Sequence, residues 1–223
     1  MSKELQKRIL EISYERKLSH IGSSLSALDI IDAIYEVKKP EEKFVLSAGH
    51  SGIALYVVLE KLGILKDIDK LNVHPDRGEG IDCSTGSLGQ GLPIAVGMAL
   101  ADRGKNVYCM ISDGECAEGS IWEALRIGHE NTLTNLKLVV NANGWSAYDK
   151  VDLIPLVDRF RAFGWGVLPI DGHSKKALAE ALKTEIPNTP FIIFAKTIVE
   201  HFDFLKGLDA HYHIVTKEEY EKI

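Results

Sequence analysis

The chain has 223 residues, 45% hydrophobic and 26% charged, a composition that fits one folded domain and excludes a disordered chain or a coiled coil. Its 26 Lys and Arg against 32 Asp and Glu leave a net charge of −6, which argues against broad binding to nucleic acid or an anionic membrane. Any anionic ligand therefore needs a local device. The longest apolar-leaning stretch, 88–100, carries Gln90, Pro93 and three glycines and is too interrupted to cross a bilayer. The N-terminus lacks the apolar core and cleavage site of a signal peptide, so a cytoplasmic location is expected. Cys83, Cys109 and Cys116 form no CxxC pair and read as small core residues.

In chain order, apolar residues at helical spacing predict helices over 5–18 and 25–37, the second with a capping signal at Ser26 and Asp29. A buried strand over 44–46 is followed by a helix over 52–62. The pattern continues with a helix over 89–102, a strand over 106–111, a helix over 118–129 and a strand over 136–140. A helix over 153–163, a strand over 166–170, a helix over 175–183 and a continuous apolar strand over 191–195 complete it. Alternation of this kind predicts a single α/β domain over 1–223, with a mainly parallel sheet and helices on both faces. Two stretches, 72–87 and 197–214, are too long and irregular for plain connectors. Long loops at strand ends are where α/β sheets keep their ligands.

The strand over 106–111 runs into Ser112-Asp113-Gly114-Glu115, and the next strand ends at Asn141-Ala142-Asn143-Gly144-Trp145. Two strand ends thus offer Asp113 and Asn143, hard oxygen ligands suited to Mg²⁺, which phosphate commonly bridges. Gly114 lets a backbone N–H approach a phosphate, and the helix that follows adds its positive end.

Asp-Gly at a strand end, Glu118 five residues after Asp113, and Asn143 thirty residues after it resemble the diphosphate and metal motif of thiamine diphosphate enzymes. The surrounding Glu115-Cys116-Ala117-Glu118-Gly119-Ser120-Ile121-Trp122-Glu123-Ala124 looks specifically like transketolase, with Ser112 where the motif usually opens on Gly. Lys43-Phe44-Val45-Leu46-Ser47-Ala48-Gly49-His50 resembles that family's strand ending in Gly-His. Ser84-Thr85-Gly86-Ser87-Leu88-Gly89-Gln90-Gly91 resembles its glycine-rich turn, with Ser87 for a frequent Pro.

The resemblance implies the thiamine diphosphate-binding fold, with thiamine diphosphate and Mg²⁺ (or Ca²⁺ or Mn²⁺) as cofactors. It implies metal ligation by Asp113, Asn143 and the Trp145 carbonyl, and cofactor contacts from His50, Gly86, Leu88, Asp113, Gly114, Asn143 and His211. It also implies catalytic roles for His20, His74 and His211, and for Glu118 as a buried carboxylate near a subunit boundary. His20 lies in a loop similar to the family's Ser-Gly-His-Pro-Gly but lacks the Gly and the Pro, and His74 resembles a loop histidine that contacts the sugar's terminal hydroxyl. His211 is chosen over His213 because Ala210-His211 stands where the family has Trp-His. Neutral imidazoles can both donate and accept protons on substrate hydroxyls. His129, His173 and His201 read as structural.

Nothing in the chain resembles the family's pyrimidine-binding or C-terminal domain. The expectation is an N-terminal, diphosphate-binding subunit that transfers a two-carbon ketol unit from a ketose phosphate to an aldose phosphate, as in the pentose phosphate pathway. A separate C-terminal subunit would complete a heterotetramer, and isolated copies would pair as homodimers. The alternatives are the N-terminal half of a deoxyxylulose phosphate synthase-like or 2-oxo acid decarboxylating enzyme, and a non-catalytic binding or regulatory homologue.

Overall fold

In the computed structural model five strands, β1 (Lys43–Leu46), β2 (Val107–Ser112), β3 (Leu136–Ala142), β4 (Gly166–Asp171) and β5 (Phe191–Lys196), form one sheet in the order β1-β2-β3-β5-β4. Every neighbouring pair is parallel, as strands joined by helical crossovers require. The structure describes residues 2–68 and 72–222, so Met1 and Ile223, the outer ends of the expected domain, lie outside the described residues. The inner strands β2 and β3 are buried along their whole length, whereas edge strand β4 is half-exposed and accommodates Pro169, whose missing N–H an edge tolerates.

Helices cover both faces. Helices α1 (Lys3–Arg16), α2 (Ile21–Val37), α3 (Gly52–Lys61) and α7 (Lys175–Lys183) pack on Phe44, Tyr108, Met110, Val139 and Ile193. Helices α4 (Gly91–Ala101), α5 (Gly119–Glu130) and α6 (Leu153–Ala162) pack on the alternate residues Val45, Cys109, Ile111, Leu138, Val140 and Phe194. That division follows the two-residue period of a strand. Two short helices, α8 (Asp209–Tyr212) and α9 (Lys217–Tyr220), end the chain, the first inside the expected irregular stretch. Cys109 and Cys116 are core residues as expected, while Cys83 is half-buried. Among the described residues no helix is long and apolar enough to cross a membrane.

Helix α2 corrects the sequence reading. It begins at Ile21 rather than Leu25, so Ser26 and Asp29 cap nothing and lie inside it, buried. The physical start is His20, whose left-handed backbone (φ 67°) turns the chain and whose carbonyl accepts the first helical bond, from Ser24 N–H at 2.9 Å. A proline at 21 would disfavour helical backbone angles at residue 20, so Ile21 is compatible with this turn. The buried acids of α2 are paired: Asp32 takes Lys61 Nζ at 2.6 Å and also Lys175, and Asp29 Oδ2 lies 3.1 Å from His173 Nδ1.

Candidate active site

The turns after β1, β2 and β3 and the chain after β5 meet at the carboxyl edge of the sheet, where open α/β sheets hold ligands. Asp113 follows β2 and is 1% exposed. Its Oδ1 accepts from Gly114 N–H at 2.9 Å and its Oδ2 from Gly144 N–H at 2.6 Å. Burial pushes its carboxyl up to about 7, although the surrounding backbone N–H groups favour the charged form. A cation beside it would favour the charged form.

Asn143 stands beyond β3 in a turn that Gly144 closes with φ 82°. Its Oδ1 accepts from Trp145 N–H at 2.9 Å and its Nδ2 donates to Ser26 Oγ at 3.3 Å. The loop after β3 closes over the turn after β2: a β-carbon on Gly114 would stand 3.1 Å from Ser146 Cα and 3.7 Å from the Trp145 carbonyl oxygen. Asp113, Asn143 and the Trp145 carbonyl thus lie in adjoining turns and offer one carboxylate, one amide oxygen and one backbone carbonyl. This all-oxygen set fits Mg²⁺, Ca²⁺ or Mn²⁺. Among the described residues no three His, Cys, Asp or Glu side chains form a metal-holding group, and a set containing one carboxylate is consistent with that.

Glu115 is a site residue that sequence reasoning passed over. It is fully buried, and Oε1 accepts from Ser47 Oγ at 2.6 Å and Gly89 N–H at 3.0 Å while Oε2 accepts from Ser112 N–H at 2.9 Å. One carboxylate therefore ties the end of β1, the end of β2 and the glycine-rich turn together. Burial raises its pKa, and these donors oppose the rise. Ser112 Oγ in turn accepts from Glu115 N–H at 3.2 Å, so Ser112 and Glu115 cap each other reciprocally. The S-x-x-E spacing of a capping box was the available signal. Ser112 is the last residue of β2, so the turn needs no glycine conformation there.

Four of the singled-out histidines converge from distant segments. The His20 ring lies 5.8 Å from His50 and 4.7 Å from His211, and His50 lies 5.4 Å from His211. His74 rests on the glycine-rich turn: Gly86 has φ 144°, and a β-carbon there would stand 2.8 Å from the His74 ring. Gly86 in turn packs on Gly49, next to His50, while Leu88 is half-buried in the same turn. Burial, then mutual repulsion among the imidazoles, holds His50 down to about 3 and His20 to about 4, and burial lowers His211. At neutral pH these three rings are uncharged. Ser19 Oγ lies 2.7 Å from His20 Nδ1 and Ser23 Oγ 3.3 Å from His211 Nδ1.

The terminal loop reaches the site by packing. His20 N–H donates to the His211 carbonyl at 3.0 Å, Ala210 fills the space above Gly22, and Tyr212 Oη donates to the Ala147 carbonyl at 2.6 Å. His213 points elsewhere and bonds Glu219 Oε2 at 2.9 Å, so His211 is the one brought to the cluster. Glu118 is the N-cap of α5 and lies against Gly89, half-buried rather than buried, and its carboxylate makes no hydrogen bond or ion pair among the described residues. His129 packs against Gly164, and His173 takes Asp29 on Nδ1 while its Nε2 accepts from Ile198 N–H at 3.2 Å. His201 is edge-on to His173 at 5.0 Å.

The family model described as "Transketolase, thiamine diphosphate binding domain" matches residues 15–213. The chain belongs to the transketolase family. It is 32% identical to an apulose-4-phosphate transketolase subunit of Phocaeicola vulgatus, over 99% of this chain and 90% of that one. It is 35% identical to the 6-deoxy-6-sulfo-D-fructose transketolase subunit of a Clostridium species, over 96% of this chain and 90% of that one. Human transketolase matches at 36% identity over 80% of this chain, which spans only 33% of the human protein. Among solved structures, Leishmania mexicana transketolase superposes with a TM-score of 0.77 at 23% identity, covering 97% of this chain and 39% of its own. That likeness shows the α/β fold of the family.

Proposed function

We propose that this chain is the diphosphate- and metal-binding subunit of a two-chain transketolase, one domain over its whole length and cytoplasmic. The observation that carries the proposal is the neighbourhood of Asp113, Asn143 and the Trp145 carbonyl, at the strand ends that Glu115 ties to the histidine-bearing turns. The two subunit relatives support the division, since the chain spans 90% of each but only a third of a single-chain transketolase.

Thiamine diphosphate, when bound, supplies the electron sink for two-carbon transfer. Asp113, Asn143 Oδ1 and the Trp145 carbonyl would hold Mg²⁺ (or Ca²⁺ or Mn²⁺), which would supply positive charge for a diphosphate in an acidic protein. Gly114, His50 and His211 would contact the cofactor's diphosphate side, and the Gly86 and Leu88 backbone would support its aminopyrimidine. The Nδ1 atoms of His20 and His211 are engaged by Ser19 and Ser23, which leaves their Nε2 atoms to exchange protons with sugar hydroxyls. His74, on its exposed loop, meets the sugar chain.

The substrates named for the two relatives, apulose-4-phosphate and 6-deoxy-6-sulfo-D-fructose, support a donor drawn from ketoses carrying a phosphate or sulfonate, with an aldose phosphate as acceptor. The partner subunit supplies the pyrimidine-binding domain and phosphate recognition. Assembly is supported by α4, which is apolar on both sides: Ala95 and Ala99 are buried while Pro93, Ile94, Gly97 and Leu100 face outward. A helix apolar all round is ordinarily covered. We place this face and Glu118 in the heterotetramer interface, with homodimers forming in the partner's absence.

The test is to assay the purified chain with Mg²⁺, thiamine diphosphate, a ketose phosphate and an aldose phosphate, with and without a pyrimidine-domain chain encoded beside it. Turnover only in the mixture is expected. Robust turnover by this chain alone would overturn the split-enzyme reading, and no turnover with any neighbouring pyrimidine-domain chain would favour a non-catalytic role.

A further inference from the structure

Ser26 lies inside α2, 0% exposed, and its hydroxyl joins three groups. It donates to the Ser23 carbonyl at 2.9 Å and accepts from Asn141 Nδ2 at 3.0 Å and Asn143 Nδ2 at 3.3 Å. The direction of this chain matters. A serine hydroxyl has one proton, and here it goes to a carbonyl that can only accept. Ser26 Oγ therefore meets both amides as an acceptor, and each must turn its NH₂ end toward it.

An asparagine amide has two nearly isosteric ends, and the hydrogen-bond partners decide which is which. For Asn141 the choice is made by Ser26, and Thr197 Oγ1, which can donate or accept, completes the other end by donating to Oδ1 at 2.6 Å. For Asn143 it is made by Ser26 on one end and by Trp145 N–H on the other. Reversing the Asn143 amide would put a donor against Trp145 N–H and present NH₂ where an oxygen is needed. Only the oxygen end can take a cation.

We propose that Ser26 is a positioning residue for the divalent cation: together with Trp145 N–H it fixes which end of the Asn143 amide is the oxygen, and so sets the metal affinity of a site it does not touch. The inference rests on the metal and diphosphate reading given above. Outer partners that orient ligands of a metal typically govern its affinity by 10- to 100-fold. The helix provides its own control. Ser24, two residues earlier, is equally buried, and its hydroxyl has no hydrogen-bond partner among the described residues.

The experiment is calorimetric titration of the assembled two-chain enzyme with thiamine diphosphate at stepped Mg²⁺ concentrations, with thermal melting alongside. Wild type is expected to bind in a Mg²⁺-dependent way, and Ser26→Ala to raise the half-saturating Mg²⁺ by at least about 10-fold while still melting cooperatively. Ser24→Ala should leave the Mg²⁺ requirement unchanged. An unaltered requirement in Ser26→Ala, or an equal rise in Ser24→Ala, would overturn the proposal and leave the metal site standing. Absence of any Mg²⁺-dependent binding by wild type would instead overturn the metal reading itself, and this inference with it. If Ser26→Ala does not fold, Ser26→Cys decides by the same criterion, because sulfur is a weaker acceptor of similar shape.

Discussion

Ser47, one residue past β1, donates a 2.6 Å hydrogen bond to Glu115, which lies in the turn past β2. Through that contact the segment bearing His50 and the segment bearing Asp113 are held to one geometry, and Gly89 N–H on the same carboxylate oxygen adds the glycine-rich turn. Glu115→Gln should therefore disturb more than a charge. An amide placed there offers one acceptor and two donors to three donors, so at least one buried N–H or O–H loses its partner. The expected loss is about 1–3 kcal/mol of stability, read as a lower melting temperature. A melting temperature equal to wild type would show that the carboxylate does not brace the site.

The histidine cluster makes stability depend on acid. His50 is nearly buried and its pKa in the folded state is held down to about 3, so between there and the unfolded value of 6.5 the unfolded chain carries a proton that the folded chain does not. Stability is complete above pH 6.5 and declines as pH falls, by about 1.4 kcal/mol per pH unit for one such group. His20, held to about 4, adds a smaller contribution of the same sign because it is partly exposed. Asp113 acts in the opposite sense, since a carboxyl raised to about 7 binds its proton more readily when folded. Comparing the melts of wild type and His50→Asn at pH 7.5 and 5.5 isolates the histidine. The variant should lose less stability on acidification, and parallel losses would contradict the assignment.

Asp113→Ala removes the only carboxylate of the proposed metal set and strands the N–H groups of Gly114 and Gly144. Thiamine diphosphate binding in the presence of Mg²⁺ should weaken by well over about 10-fold in the assembled enzyme, since water replaces an anionic ligand poorly. Retained affinity with unchanged metal dependence would remove Asp113 from the site.

His74 is exposed on its loop, and His211 is held chiefly by its backbone carbonyl, so neither imidazole is a main structural prop. In the reconstituted enzyme His74→Ala and His211→Ala should keep a melting temperature close to wild type. Turnover should fall by about 10²-fold or more, the usual range for a group that moves protons. His74→Ala should also retain cofactor affinity. Full activity in both variants would refute the sugar-contact roles.

Much of this protein is legible in its sequence. Helical and strand periodicities place the five strands and the helices between them, because each periodicity is a local consequence of one buried face. The carboxyl-end rule likewise picks out Asp113 and Asn143, since a residue just past a parallel strand faces the crevice. The early start of α2 is not legible: Ser23, Ser24 and Ser26 look like surface residues, and only packing between the sheet and α1, α3 and α7 buries them. The histidine cluster is assembled from positions 20, 50, 74 and 211, which no local pattern associates. Ser26 and Asn143 are 117 residues apart, and the bond that orients the amide exists because α2 packs against the end of β3. Sequence determined which residues could do the chemistry, whereas their orientation depends on hydrogen-bond partners that become neighbours only when the helices close over the sheet.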